Sequence, residues 1–458
     1  MRVARMMRVV AAVAATGLLA TACGNLDSSS SSSEASAPAA GSAAASAAAT
    51  GGAAAAATDS IKVGFVTPLT GPLAAFGEGD QWVADSMTAW FKENPIQAGG
   101  TSYSVEVIVK DSQSDPKRAG EVAGELINTD GADVLLAHAT PETTVPVAAQ
   151  CEANATPCIT SDTPWQPWVA GLGGNPGDPS KPFTWSYHFF WGLEDMAAVF
   201  MDMWNQVESN KKVAALYPND ADGQAFTDEA QGFPAIIGPE GFSFNNPGLY
   251  PSGTQDFSAQ ISAFKKNDDQ LLTGIVPPPD FINFWKQAKQ QGYNPVLATV
   301  GKAIEFPAAV AALGDLAQNL GTEVWWAPSY PTTSSLTGLS SADFAAAYTE
   351  ATGKQWNMPL AFSESMFEVM AAAVTAAGGK DKQAIADAMK TMQVDALVGN
   401  LDWGKGPFPN IAKTPLTGGQ WRATDGGEFP FDLTIVSNSA AKAAGLDVPL
   451  GGKVEPLQ

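Results

Sequence analysis

The residues able to do chemistry gather where apolar, β-branched runs stop. Thr67-Pro68-Leu69-Thr70-Gly71-Pro72 follows IKVGFV, Ala139-Thr140-Pro141-Glu142-Thr143-Thr144 follows ADVLLAH, and Ser161-Asp162-Thr163-Pro164-Trp165 follows PCIT. Hydroxyls and loop amides at helix openings suit an anionic group such as a carboxylate. A later set of loops carries acids instead: Trp191-Gly192-Leu193-Glu194-Asp195, Pro218-Asn219-Asp220-Ala221-Asp222-Gly223, Pro277-Pro278-Pro279-Asp280 and Gly301-Lys302. Asp220 and Asp280 are the acids placed to hold an ammonium. Trp165 and Trp191 each offer a flat apolar face and one donor, suited to stacking on a ring or caging a cation. Phe76 is a similar candidate, whereas Trp168 and Trp185 read as packing residues. Thr and Asp at strand-to-helix junctions also serve as N-caps worth about 1 kcal/mol, and Asp111, Asp115 and Asp222 are assigned that structural role.

Other chemistries lack their material. The 458 residues contain two histidines, His138 and His188, and three cysteines. No zinc-ligand spacing, G-x-S-x-G, Walker A loop or G-x-G-x-x-G element occurs, so no cofactor, catalysis or zinc-type metal site is expected, which leaves only a carboxylate-lined Ca²⁺ or Mg²⁺ site open. His138 reads as a satisfied histidine, not a base. A formal charge of −22 repels phosphate backbones and argues against nucleic acid as a partner.

The elements that must position the loops alternate. Strands are predicted over 61–66, 103–110, 132–137 and 157–160, with helices over 79–92, 117–129 and 145–152 between them; Asp115-Pro116 supplies an N-cap and a first-turn proline. That β-α-β-α-β-α-β order implies a parallel sheet covered by helices on both faces. A Gly/Pro/Trp-rich insertion over 164–182 interrupts it. Strands over 212–217, 271–276 and 295–300 then alternate with helices over 225–231, 258–266 and 281–291, which predicts a second α/β lobe. Helical stretches follow at 341–352, 362–377 and 382–392, with a last strand at 431–436.

The N-terminal stretch speaks to location. Arg2, Arg5 and Arg8 precede an apolar run over 9–20 that is short for a bilayer span, the pattern of a signal peptide over 1–22. It ends in Leu19-Ala20-Thr21-Ala22-Cys23-Gly24, which resembles a bacterial lipobox with Cys23 as the lipidated residue; Leu19 sits one place earlier than the usual pattern. Residues 23–58, rich in Ser, Ala and Gly, are expected to form a flexible tether. In an oxidising, exported location Cys151 and Cys158 are expected to form a disulfide.

Four segments raise a family resemblance: IKVGFVTPLTGPLAAFGEGDQ (61–81), DSQSDPKRAGEVAGELI (111–127), AHATPETTVPVAAQCEANATPCIT (137–160) and LVGNLDWGKG (397–406). The chain resembles a type I periplasmic-binding-protein domain of the branched-chain amino-acid receptor family, the solute receptors of ABC importers. The resemblance implies two doubly wound parallel-sheet α/β lobes joined by three hinge crossings, lobe 1 over 59–187 and 328–395, lobe 2 over 188–327 and 396–440, and a tail over 441–458. It further implies that first-lobe hydroxyls bind a ligand carboxylate while a second-lobe acid binds its amine. By position Thr140, Thr143, Ser161 and Thr163 match the first set; Pro141 and Glu142 stand where relatives often have small hydroxyl residues. The expected protein is a lipid-anchored, monomeric extracytoplasmic receptor that captures an amino acid or a related carboxylate or aromatic compound for ABC permease subunits. The alternatives are a secreted hydrolase using Asp/Glu in the same cleft and a ligand sensor docking a membrane signalling protein.

Overall fold

A computed structural model describes residues 57–457. The expected signal peptide, Cys23 and the expected tether up to residue 56 lie outside the described residues.

The first sheet holds seven strands: β1 (Asp59–Thr67), β2 (Ile96–Ala98), β3 (Thr101–Asp111), β4 (Val134–Ala137), β5 (Cys158–Ser161), β6 (Ser186–Phe189) and, from far along the chain, β14 (Ile411–Ala412). Their spatial order is β14-β6-β5-β4-β1-β3-β2, and every pairing is parallel except β2 with β3. In register, Val63 pairs with Val107 and Val134, and Leu136 with Ile159. β1 lies between two neighbours and is covered on both faces, which explains its unbroken apolar run. The helix Pro116–Asn128 starts where Asp115 accepts the Arg118 amide at 2.7 Å. It buries Ala119, Val122, Ala123, Leu126 and Ile127, one stripe at helical spacing against the sheet.

The second sheet holds β7 (Lys212–Leu216), β8 (Ser243–Asn245), β9 (Leu271–Ile275), β10 (Leu297–Gly301), β11 (Gly321–Val324), β15 (Thr417–Ala423) and β16 (Phe431–Ser437), in the order β16-β15-β11-β10-β9-β7-β8. β15 is antiparallel to β11 and β16, and the others pair parallel. A separate hairpin joins β12 (Gln393–Ala396) to β13 (Gly399–Asp402). A core of Phe257, Phe264, Phe281, Phe284, Trp285 and Trp421 packs under this sheet.

Sheet membership gives three crossings between lobes: after β6 at 190–192, after β11 at 325–327, and between β14 and β15 at 413–416. β14 pairs with β6, so residues 411–412 sit in the first sheet although 396–440 were expected in lobe 2. The expected tail is built into lobe 2: Gln420 Nε2 donates to the Glu455 carbonyl at 2.8 Å, and the Leu457 amide to Val296 at 2.8 Å. The predicted helix over 225–231 forms earlier, at Ala221–Phe226, because Asp220 caps it by accepting the Gly223 amide. Trp165–Gly171, expected to lie in an irregular insertion, is a helix.

Two further expectations are corrected. Cys151 and Cys158 are free, buried thiols and not a disulfide. Trp165, expected in a loop facing the cleft, opens a helix and packs in the first-lobe core with Trp168, and its indole donates to Glu194 Oε1 at 3.2 Å.

Candidate functional site

Parallel strands of both lobes end at one crevice. First-lobe helices Pro141–Ala153 and Trp165–Gly171 meet second-lobe helix Ala221–Phe226 across it. The space between is lined from the first lobe by Phe76, Thr140, Asp162 and Pro164, and from the crossings by Phe190, Trp191 and Trp325. The second lobe adds Asp222, Ile275, Lys302, Glu305 and Glu323. Its volume is about 20 Å³, room for roughly one water, so any larger solute enters only when the lobes separate. A wider depression of about 500 Å³ between Trp90 and Leu336 lies away from the strand ends of the crevice.

Three loops reach the crevice through backbone that side-chain-bearing residues seldom adopt. Ala139, Asp162 and Lys302 have φ of 78°, 62° and 66°. Asp162 and Lys302 directly follow β5 and β10, and Ala139 comes two residues after β4; such positions cost of order 1 kcal/mol or more and cluster at functional sites. Gly301 completes the second-lobe turn: a Cβ there would stand 2.5 Å from Glu323 Oε1, so only glycine lets that carboxyl approach.

On the first-lobe side, His138 at the end of β4 is buried between two carboxylates. Its Nδ1 lies 2.8 Å from Asp162 Oδ2 and its Nε2 2.5 Å from Asp80 Oδ2. Burial works against its charge, but Asp80 and Asp162 outweigh that and lift its pKa to about 10. His138 is therefore an imidazolium holding Asp162 in place. Burial raises the Asp162 carboxyl in turn. The other histidine, His188, is pushed down to about 3 by burial and stays neutral, stacked on Trp168.

On the second-lobe side, Lys302 Nζ sits 2.9 Å from Asp222 Oδ2 and 3.6 Å from Asp220 Oδ2. Burial opposes its charge, but Asp222 first and Asp220 next hold the ammonium well above its usual range. Burial lifts the Asp222 carboxyl to about 7 despite Lys302. Glu305 and Glu323 face each other, and burial raises both carboxyls, with Glu323 adding to the rise at Glu305. Among the described residues no group of three or more His, Cys, Asp or Glu is placed to hold a metal ion.

The back wall is aromatic. Phe190 lies 4.6 Å from Trp191 and 4.9 Å from Trp325, and Phe76 of the first lobe lies 4.8 Å from Phe306 of the second. Aromatic contact thus spans the crevice.

Of the nine residues predicted to bind, Phe76, Thr140 and Trp191 line the crevice. Asp220 stands one step back, bracing Lys302. The others are spent elsewhere. Ser161 donates to the Phe189 carbonyl at 2.6 Å, Thr163 to the Ala139 carbonyl at 2.8 Å, and Thr143 is buried beside Ser112. Asp280 accepts the Gly253 amide at 3.0 Å. Glu194 and Asp195, in a loop read as an ammonium site, hold Lys413 of the third crossing at 2.8 and 2.6 Å. Asp222, assigned a structural role in the sequence, faces the crevice. Glu323 was missed, although an acid inside the buried strand GTEV is a signal by itself. Phe190 and Trp325 were missed too, each beginning an aromatic pair just after a strand.

Comparison with known proteins places this architecture. A family model described as periplasmic binding protein matches residues 60–426. A leucine-, isoleucine-, valine-, threonine- and alanine-binding protein of Pseudomonas aeruginosa is 26% identical over 240 residues, 52% of this chain and 59% of that protein. An amino-acid-binding protein of the same organism is 23% identical over 237 residues, again 59% of its length. The chain thus spans somewhat over half the length of the curated relatives it matches. Among solved structures, a leucine-binding protein from Thermotoga maritima superposes with a TM-score of 0.66 at 19% identity, covering 83% of this chain and 99% of that one. An ABC-transporter solute-binding protein from Rhodopseudomonas palustris in complex with 3,4-dihydroxybenzoic acid gives 0.66 at 19% identity, covering 85% and 99%. These likenesses agree with the two-lobed α/β fold, and the match over residues 60–426 decides the family: this chain belongs to the periplasmic binding protein family.

Proposed function

We propose that the protein is the extracytoplasmic substrate-binding component of an ABC importer, closing its two lobes on a small solute and presenting it to membrane permease subunits. The observation that supports this best is the set of buried polar atoms without a partner at one crevice. Thr140 Oγ1, Asp162 Oδ1, Trp191 Nε1, Asp222 Oδ1, Glu305 Oε2 and Trp325 Nε1 all lack a hydrogen bond, and all six residues line the space between the lobes. Buried polar atoms are ordinarily satisfied; six orphans from both lobes and two crossings, on residues lining one place, are what a bound solute would complete. A solute touching both lobes favours the closed form by its differential affinity, and the closed form is the one a permease would recognise. Amino acids and aromatic carboxylates, named for the relatives, are the starting solutes to try.

Mass spectrometry of small molecules released on denaturing the purified protein tests the reading. One compound at near-stoichiometric yield, recovered unchanged, is expected. Conversion of that compound by the protein would instead favour a hydrolase.

The same reading puts the protein on the outer face of a membrane, tethered through a lipid on Cys23. Cys23→Ser is expected to release it into the soluble fraction with solute binding intact; a variant that stays on membranes after a salt wash would refute the anchor.

A further inference from the structure

The signs of the groups facing the crevice differ from what a carboxylate-binding receptor needs. Four carboxyls line it, Asp162, Asp222, Glu305 and Glu323, against one ammonium, Lys302. That ammonium is already engaged by Asp222 at 2.9 Å and Asp220 at 3.6 Å. The hydroxyls at the first-lobe strand ends are engaged too: Ser161 and Thr163 donate to backbone carbonyls, which leaves Thr140 as the hydroxyl lining the space. Pro141, the first residue of the following helix, has no N–H to offer an anion. A carboxylate seated here would face Asp162 with two indole N–H groups and the Thr140 hydroxyl, but no unengaged cation lining the space, to offset the repulsion.

A cation meets the opposite situation. Asp162 Oδ1 from the first lobe and Asp222 Oδ1 from the second are unpartnered, and both residues are almost fully buried at 4% and 3% exposure. Each carboxylate's other oxygen is fixed, Asp162 by His138 and Asp222 by Lys302. The free oxygens therefore belong to side chains already held in place, and the two residues line one space from opposite lobes. The aromatic wall of Phe76, Phe190, Trp191 and Trp325 supplies apolar surface and π faces, which attract organic cations.

Resting on the receptor reading above, we propose that the solute is an organic ammonium ion with an apolar body and no carboxylate. Its charged nitrogen bridges Asp162 and Asp222 across the crevice while its hydrocarbon part lies on Trp191 and Trp325. Bridging makes the cation the element that holds the lobes together, so charge recognition and closure are one event.

Calorimetry of the full chain at pH 8 with 3-methylbutylammonium, 2-phenylethylammonium, choline, leucine and 4-hydroxybenzoate tests this. At least one ammonium is expected to bind tenfold or more tighter than leucine and 4-hydroxybenzoate. Asp162→Asn and Asp222→Asn, each checked for cooperative unfolding, should each weaken that ammonium at least tenfold. Leucine or 4-hydroxybenzoate binding as tightly as any ammonium overturns the proposal and leaves the receptor reading in place. So does release of an anionic or neutral compound, or a zwitterionic amino acid, from the denatured protein. No binding by any of the five and no released compound overturns both. Failure of both variants to weaken an ammonium that does bind removes the bridge and overturns the geometry proposed here.

Discussion

Lys302 and Asp222 form a buried ion pair at 2.9 Å between the turn after β10 and the first turn of the helix after β7. Neither residue is more than 4% exposed, so the pair has been taken out of water on both sides. Its geometry holds Asp222 Oδ2 against Lys302 and leaves Asp222 Oδ1 with no protein partner.

Removing the ammonium should be costly. Lys302→Met leaves Asp222 and Asp220 without their cation, and breaking one side of a buried pair costs about 3–5 kcal/mol. Urea unfolding is expected to show that loss, and combining Lys302→Met with Asp222→Leu should recover part of it.

His138 predicts the alkaline limb of stability. Its folded pKa of about 10 lies above the ordinary 6.5, so the stabilisation is fully present below pH 6.5 and is lost as pH rises toward 10. The slope can reach about 1.4 kcal/mol per pH unit. Unfolding free energy should fall across that window in the wild type, and His138→Asn should flatten it while lowering stability at pH 7.

Thr163 and Trp191 should separate structure from binding. Thr163→Val removes a hydroxyl bonded to the Ala139 carbonyl at 2.8 Å, so a stability loss of about 1 kcal/mol with little change in affinity for the co-purifying solute is expected. Trp191→Ala removes an indole from the crevice wall and should weaken that affinity tenfold or more. Equal affinity losses in the two variants would move the contact surface toward Thr163.

The cysteines should be silent until the protein unfolds. Burial raises the Cys151 thiol well above its usual range, and neighbouring Cys158 adds to it, so the nucleophilic thiolate is scarce. A maleimide reagent is expected to modify neither Cys151 nor Cys158 in folded protein and both in urea.

Much of the scaffold was legible because parallel strands buried on both faces write themselves as apolar runs. IKVGFV, ADVLLA and PCIT are β1, β4 and β5, and Asp115-Pro116 marks a helix start through a local hydrogen bond. Local periodicity and capping need no knowledge of distant residues. The loops that end at the crevice followed from the same alternation.

Tertiary structure alone decided which side chains in those loops face the crevice. Ser161 and Thr163 look like ligand hydroxyls in sequence, but the carbonyls of Phe189 and Ala139 take their protons, and those acceptors lie 28 and 24 residues away. Asp222 looks like a helix-terminal residue until Lys302, 80 residues on, pins one oxygen and leaves the other free. Trp325 and Glu323 gain their place from a crossing and a strand end that meet the first lobe only in the folded chain. A hydrogen bond's partner is set by three-dimensional proximity, and spacing along a chain encodes that only within a turn or two.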